Sequence, residues 1–396
     1  MIKLLAYRVI PLFLRPLAII FEGMLGGNSA ILVLSLPIAM MALTLSSIPV
    51  HIDYYKSNAA DFPAEFFKLQ YASGLGCLII ISLLALVCIM SIPAFGFGGV
   101  FIAITCFSFL LEKQSDEISR ALEFRKNFLG WFLVQLLRSG WVFIPLIAAF
   151  LGFGYESFYL IFSMLGVVLV TIIFRKVVGF FPYFSMGGID SIRKNMVFFF
   201  GSFLPASYRQ LPRILIARMY PEQAHAFIAL SQFSQGVGVL FNVRFQIPYR
   251  KIIARRPLMF QRILEPVMKK ILLIPAVVVF LYIATPIYLD LSTVPSLIQS
   301  VFFLPVVIAD ALVFSILSAH LGYIHWFANK LSAMWLYTLC MALAVVVLGA
   351  LSLINYPDLV NLAGIPVATM IVGFIWLLYI KMKFFSGSKK WYKAHG

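Results

Sequence analysis

The residues most able to do chemistry are arginines that lie inside apolar segments. Arg15 and Arg138 each sit in the middle of a long apolar stretch, and Arg209 and Arg213 lie four apart in another, hence on one helix face. Asp310 is an acidic counterpart in a later stretch. Ser231, Gln235, Gly238, Asn242 and Gln246 recur every three or four residues, which predicts one polar face on a helix lining a wet cavity. Ionisable groups in an apolar helix cost about 2.5–3.5 kcal/mol at its centre, so each needs a partner or a purpose. Four such cations set against Asp310 predict a positive surplus that internal pairing does not neutralise. Guanidinium groups form bidentate, charge-assisted hydrogen bonds to phosphate, so the chemistry expected is anion binding. Arg138 could instead pair with Asp310, and Asp310 could serve as a coupling-ion site.

The segments carrying these residues read as about twelve membrane spans, an all-α polytopic chain. The expected spans are 4–25, 30–50, 71–92, 94–111, 129–150, 157–174, 196–217, 223–245, 271–289, 297–319, 331–354 and 359–380. Hydrophobic residues make up 62% of the 396, against about 45–50% in soluble domains, and charged residues only 12%. The net charge of +16 does not imply nucleic acid, because no soluble domain carries it. Apart from Arg218, at the outer edge of the seventh span, the Lys and Arg outside the spans fall in the even-numbered loops and the tails. The odd-numbered connections carry at most Glu22, Glu156, Glu222, Asp290 or Asp358. That asymmetry predicts both termini in the cytoplasm. The first 21 residues read as a first span, not a cleaved signal peptide.

The outer loops are short, with Gly152-Phe153-Gly154-Tyr155 a turn signal. The inner loops are longer. Lys113 to Phe128, with its Glu and Arg at helical spacing, reads as an interfacial helix held by lipid headgroups, as does Pro248 to Lys270. A basic linker at 175–195 divides the chain into lobes at 1–174 and 196–396, each of about six helices. Such a build fits a transporter with its path between two repeats. Pro205, Pro212 and Pro305 lie near Arg209, Arg213 and Asp310, where they would free backbone carbonyls and allow bending.

Enzymatic chemistry finds little here. Cys77, Cys88, Cys106 and Cys340 lie in apolar segments without metal-ligand spacing. The histidines form no hydrolytic constellation, and no Gly-rich phosphate loop precedes a Lys-Ser/Thr pair. The expectation is a transporter with no cofactor and no metal, driven by an ion, potential or substrate gradient.

Three stretches resemble a known family. Arg213-Ile-Leu-Ile-Ala-Arg-Met-Tyr-Pro-Glu-Gln-Ala224 with Phe227 to Leu230, Ile247-Pro-Tyr-Arg-Lys-Ile252 on to Pro275, and Arg120-Ala-Leu-Glu-Phe-Arg125 are similar to connections in the multidrug/oligosaccharidyl-lipid/polysaccharide exporter superfamily. The likeness is to its O-antigen and capsule branch, the lipid-linked oligosaccharide flippases. Pro212 stands where that family often has Asp, and Ala226-Phe227-Ile228 where it has Gly-Ile-Tyr. The resemblance implies two six-helix lobes around a cationic cavity in the bacterial inner membrane. It implies alternating-access transfer of an undecaprenyl-pyrophosphate-linked glycan to the outer leaflet. It also implies a polymerase and glycosyltransferases as partners, besides membrane lipids. By position, Arg15, Arg209 and Arg213, then Arg138, would hold the substrate. Two other readings remain open: a multidrug or small-molecule antiporter, which would favour buried carboxylates, and a membrane polymerase or acyltransferase, which would favour a long outer loop or a well-placed histidine.

Overall fold

The computed structural model describes residues 2–25, 31–45, 99–125, 127–179, 210, 213–214, 217, 224–232, 273, 277 and 375. The chain divides into two compact units, Met1–Ala229 and Leu230–Gly396. The described residues contain helices and turns and no strand. The first unit holds α1 (Ile2–Met24), α2 (Ile31–Leu45), α3 (Gly99–Phe124), α4 (Phe128–Gly140), α5 (Phe143–Phe150) and α6 (Tyr155–Val178). A further helical stretch covers 224–232.

Two helical stretches are long and apolar enough to cross a membrane. Phe128–Phe150, which takes in α4 and α5, has a mean hydropathy of 1.7, and Tyr155–Val178 of 2.4. Apolar side chains of α5 and α6 face outward while several charged side chains are buried. Ile161, Leu165, Val168, Leu169 and Ile172 of α6 and Ile144, Ile147 and Phe150 of α5 are exposed. Glu22, Glu112, Lys113, Gln114, Glu117 and several serines are buried. Exposed apolar helix faces beside buried polar groups suit lipid as solvent.

Several boundaries differ from expectation. The fifth span is broken at Trp141–Val142. Pro145 has no N–H to offer the Trp141 carbonyl, which instead accepts from Ile144 at 3.2 Å, a tighter turn. α5 ends in a Schellman turn: Phe153 N–H donates to Ala148 O and Gly152 N–H to Ala149 O, both at 3.0 Å. Gly152 takes φ 88° there, which glycine adopts without a Cβ penalty. α6 starts with Glu156 in its first turn and ends with Arg175 and Lys176 in its last, each opposing the helix dipole. Arg175 to Val178 therefore extend a helix rather than open a linker, and 180–195 lie outside the described residues. The third span and the ninth to twelfth lie almost wholly outside them too.

The larger correction concerns Lys113 to Phe128. It is not a separate interfacial helix: α3 continues unbroken from Gly99 to Phe124. No Gly or Pro interrupts the sequence from Val100 to Leu129, so nothing ends the helix at Leu111. Its polar residues turn inward. Lys113 Nζ meets Glu117 Oε1 at 3.0 Å with both side chains fully buried. Gln135 of α4 donates to Ser119 at 2.8 Å, and Thr171 of α6 donates to Gln114 at 2.9 Å.

α3 is central to the packing, lying along α6, α2 and α4. At its crossing with α6, Gly166 leaves no room for a side chain, since an added Cβ would stand 2.6 Å from Leu111 Cδ1. Small residues at such crossings let backbones approach closely. Ala39 and Leu43 of α2 pack on Phe109 of α3.

Candidate functional site

Four helices bring polar groups to one cleft. Its lining includes Arg15 from α1, Ser108 and Glu112 from α3, Arg138 from α4 and Tyr159 from α6, with Leu32 and Leu36 of α2 as an apolar wall. The space is small, with room for about one water molecule.

Glu112 is the hub. Arg15 Nη2 pairs with Glu112 Oε1. Arg138 Nε donates to Glu112 Oε2 at 2.6 Å. Two guanidiniums from different helices thus each hold one oxygen of a single, almost completely buried carboxylate. The network extends along α3: Arg138 Nη1 stands 3.7 Å from Asp116 Oδ1, and Asp116 Oδ2 lies 2.7 Å from Arg120 Nη2 one turn on. Arg15 Nη1 also approaches Met40 Sδ at 3.7 Å.

The geometry corrects the charge count. Arg15 and Arg138 do not form an unopposed surplus: both pair with Glu112. Two guanidiniums against one carboxylate still leave one net positive charge on the cleft. Glu112 escaped the sequence reading because it sits one residue past the expected end of a span. The signal was present: Ser108, Glu112, Asp116 and Ser119 recur at helical spacing.

A second polar cluster forms at the end of α1. Glu22, read as part of an outer connection, is in the last turn of α1 and fully buried. It accepts from Leu32 N–H at 2.7 Å and Val33 N–H at 3.1 Å, capping α2, and from Tyr155 O–H at 2.9 Å. His225 Nε2 stands 3.4 Å away. Tyr159, one turn beyond Tyr155 on α6, lines the cleft and packs edge-on against Trp141 at 5.0 Å between centroids. Aromatic and hydroxyl groups of α6 thus lie between Glu22 and Glu112.

Of the other expected site residues, Arg213 is buried and its Nη1 donates to Gln210 Oε1 at 3.0 Å. Among the described residues it is not part of the cleft lining. Arg209, Gln235, Asn242 and Asp310 lie outside the described residues. No group of His, Cys, Asp and Glu able to hold a metal occurs among the described residues. No family model, curated protein or solved structure matches the chain.

Proposed function

We propose that this chain is a polytopic inner-membrane flippase. In this reading it moves an undecaprenyl-pyrophosphate-linked oligosaccharide to the outer leaflet by alternating access, for O-antigen, capsule or exopolysaccharide assembly. The observation that carries the reading is the convergence of Arg15 and Arg138 on one cleft with a single carboxylate between them. A pyrophosphate would meet two guanidiniums in a low-dielectric setting, where charge-assisted hydrogen bonds are strong. The polyprenyl tail would stay in lipid, against the apolar faces of α5 and α6. Arg209 and Arg213 would extend the cationic path from the seventh span. Both termini would lie in the cytoplasm, and glycosyltransferases and a polymerase would work beside the protein.

Replacing Arg15 and Arg138 together by Ala tests this. Surface glycan is expected to disappear, and lipid-linked oligosaccharide to accumulate in the inner leaflet, with the protein still inserted. Arg209→Ala and Arg213→Ala are expected to act likewise. Normal surface glycan in the Arg15→Ala/Arg138→Ala protein would overturn the cleft assignment.

An ion-coupled multidrug or small-molecule antiporter is the second reading. The buried carboxylates of Glu22 and Glu112 favour it, because cation exporters need such groups. Efflux of organic cations from cells or vesicles, abolished by Glu22→Gln, separates it from the first.

A further inference from the structure

Glu112 fills the place that an anionic ligand would take between Arg15 and Arg138. Each of its oxygens is held by a different guanidinium, and each guanidinium comes from a different helix. The cleft admits about one water, so a phosphate group cannot join the carboxylate there and has to displace it.

A displaced Glu112 would find little to keep it ionised. α1 contributes Arg15 and α4 contributes Arg138, both then engaged by the ligand. α3 contributes Ser108 and, one turn on, Asp116, which is itself held by Arg138 and Arg120. α6 contributes the Tyr159 hydroxyl, and α2 contributes Leu32 and Leu36. Among the described residues, no further cation lines the cleft. A carboxylate without a cation in such surroundings is costly, and protonation removes the cost.

We infer that Glu112 is an internal competitor for a phosphate-bearing ligand, and that its displacement couples ligand binding to uptake of a proton. The inference rests on the reading of the cleft as an anion site. The balance is simple: a proton from water binds the freed carboxylate oxygen, the ligand takes over the hydrogen bonds from Arg15 and Arg138, and no other bond changes. Ligand and proton then travel together, so outward passage of the ligand carries a proton outward with it and responds to the pH on each side of the membrane. The ion-coupling residue is on this account Glu112, in the first unit and at the substrate cleft itself.

The test uses the full chain in nanodiscs of zwitterionic lipid and inorganic pyrophosphate as probe. Calorimetric titration in two buffers of different ionisation enthalpy gives the protons taken up. The wild-type protein is expected to take up more than Glu112→Gln, by up to one equivalent. Glu112→Gln is expected to bind pyrophosphate on the order of ten- to hundredfold more tightly, because the hydrogen bonds to charged groups no longer compete. Pyrophosphate binding seen only in Glu112→Gln supports the competition as well. Sulfate, which does not titrate near neutrality, provides a readout that needs no variant. Its wild-type Kd should weaken by up to about tenfold per pH unit as pH rises between the two protonation equilibria of Glu112. Equal affinity and equal proton uptake in both proteins, or a sulfate affinity independent of pH, would overturn the inference and leave the anion site standing. Failure of both anions to bind either protein would overturn the anion site as well.

Discussion

The carboxylate of Glu22 accepts the backbone N–H of Leu32 at 2.7 Å, so the last turn of α1 caps the start of α2. The first N–H groups of a helix have no partner within it, and the helix dipole adds positive potential there. A fully buried carboxylate is well placed to answer both. Tyr155 of α6 shares the same oxygen, so three helices meet on one side chain.

Removing that side chain should therefore loosen the packing of α1, α2 and α6 around it. Glu22→Ala is expected to cost about 2–4 kcal/mol, the sum of a lost cap and a lost hydrogen bond to a charged group. Glu22→Gln keeps an acceptor oxygen and should cost less. Thermal unfolding of the purified protein in detergent reads the difference. Equal melting temperatures for wild type and Glu22→Ala would show that the cap contributes nothing.

Gly166 should resist enlargement. Its missing Cβ is what lets α6 lie against Leu111, a residue that is itself fully buried. Gly166→Leu is expected to destabilise by about 1–3 kcal/mol or more through overpacking. Leu111→Ala in the same protein should restore part of that loss. A double variant no more stable than Gly166→Leu alone would place the clash elsewhere.

The exposed apolar face of α6 makes its own prediction. With this helix across a bilayer, Val168→Lys puts a charge on the lipid side near mid-span. Insertion of the helix should weaken by about 2.5–3.5 kcal/mol. A glycosylation-mapping assay of membrane insertion measures it directly. Unchanged insertion beside a Val168→Ala control would argue against α6 as a span.

Much of the local structure was readable from residue order. Gly152 announced the turn before α6, because a left-handed residue ends a helix most cheaply as glycine. The apolar runs announced α1, α6 and the start of α2 to within a few residues, since a membrane-length helix demands an apolar run and little else. The break at Trp141 was announced only by Pro145, whose effect depends on which carbonyl it leaves free. The continuation of α3 was misread because its charges look like those of a solvated inner loop. Charge type alone does not tell whether a Glu faces headgroups or the inside of a bundle.

Composition and hydropathy by themselves determined that the described residues are helical and that two of the helical stretches are long and apolar enough to cross a membrane, because those properties follow from the length of the apolar runs. They also marked Arg15 and Arg138 as residues needing a reason. Partnership was decided only by tertiary structure. Arg15 and Glu112 are 97 positions apart, and Arg138 and Glu112 are 26 apart. A salt bridge within a bundle depends on which helices are neighbours and on the height at which they cross, and neither is encoded in any local stretch of residues. The packing of α1 and α4 around α3 turned two isolated cations into a shared hold on one carboxylate.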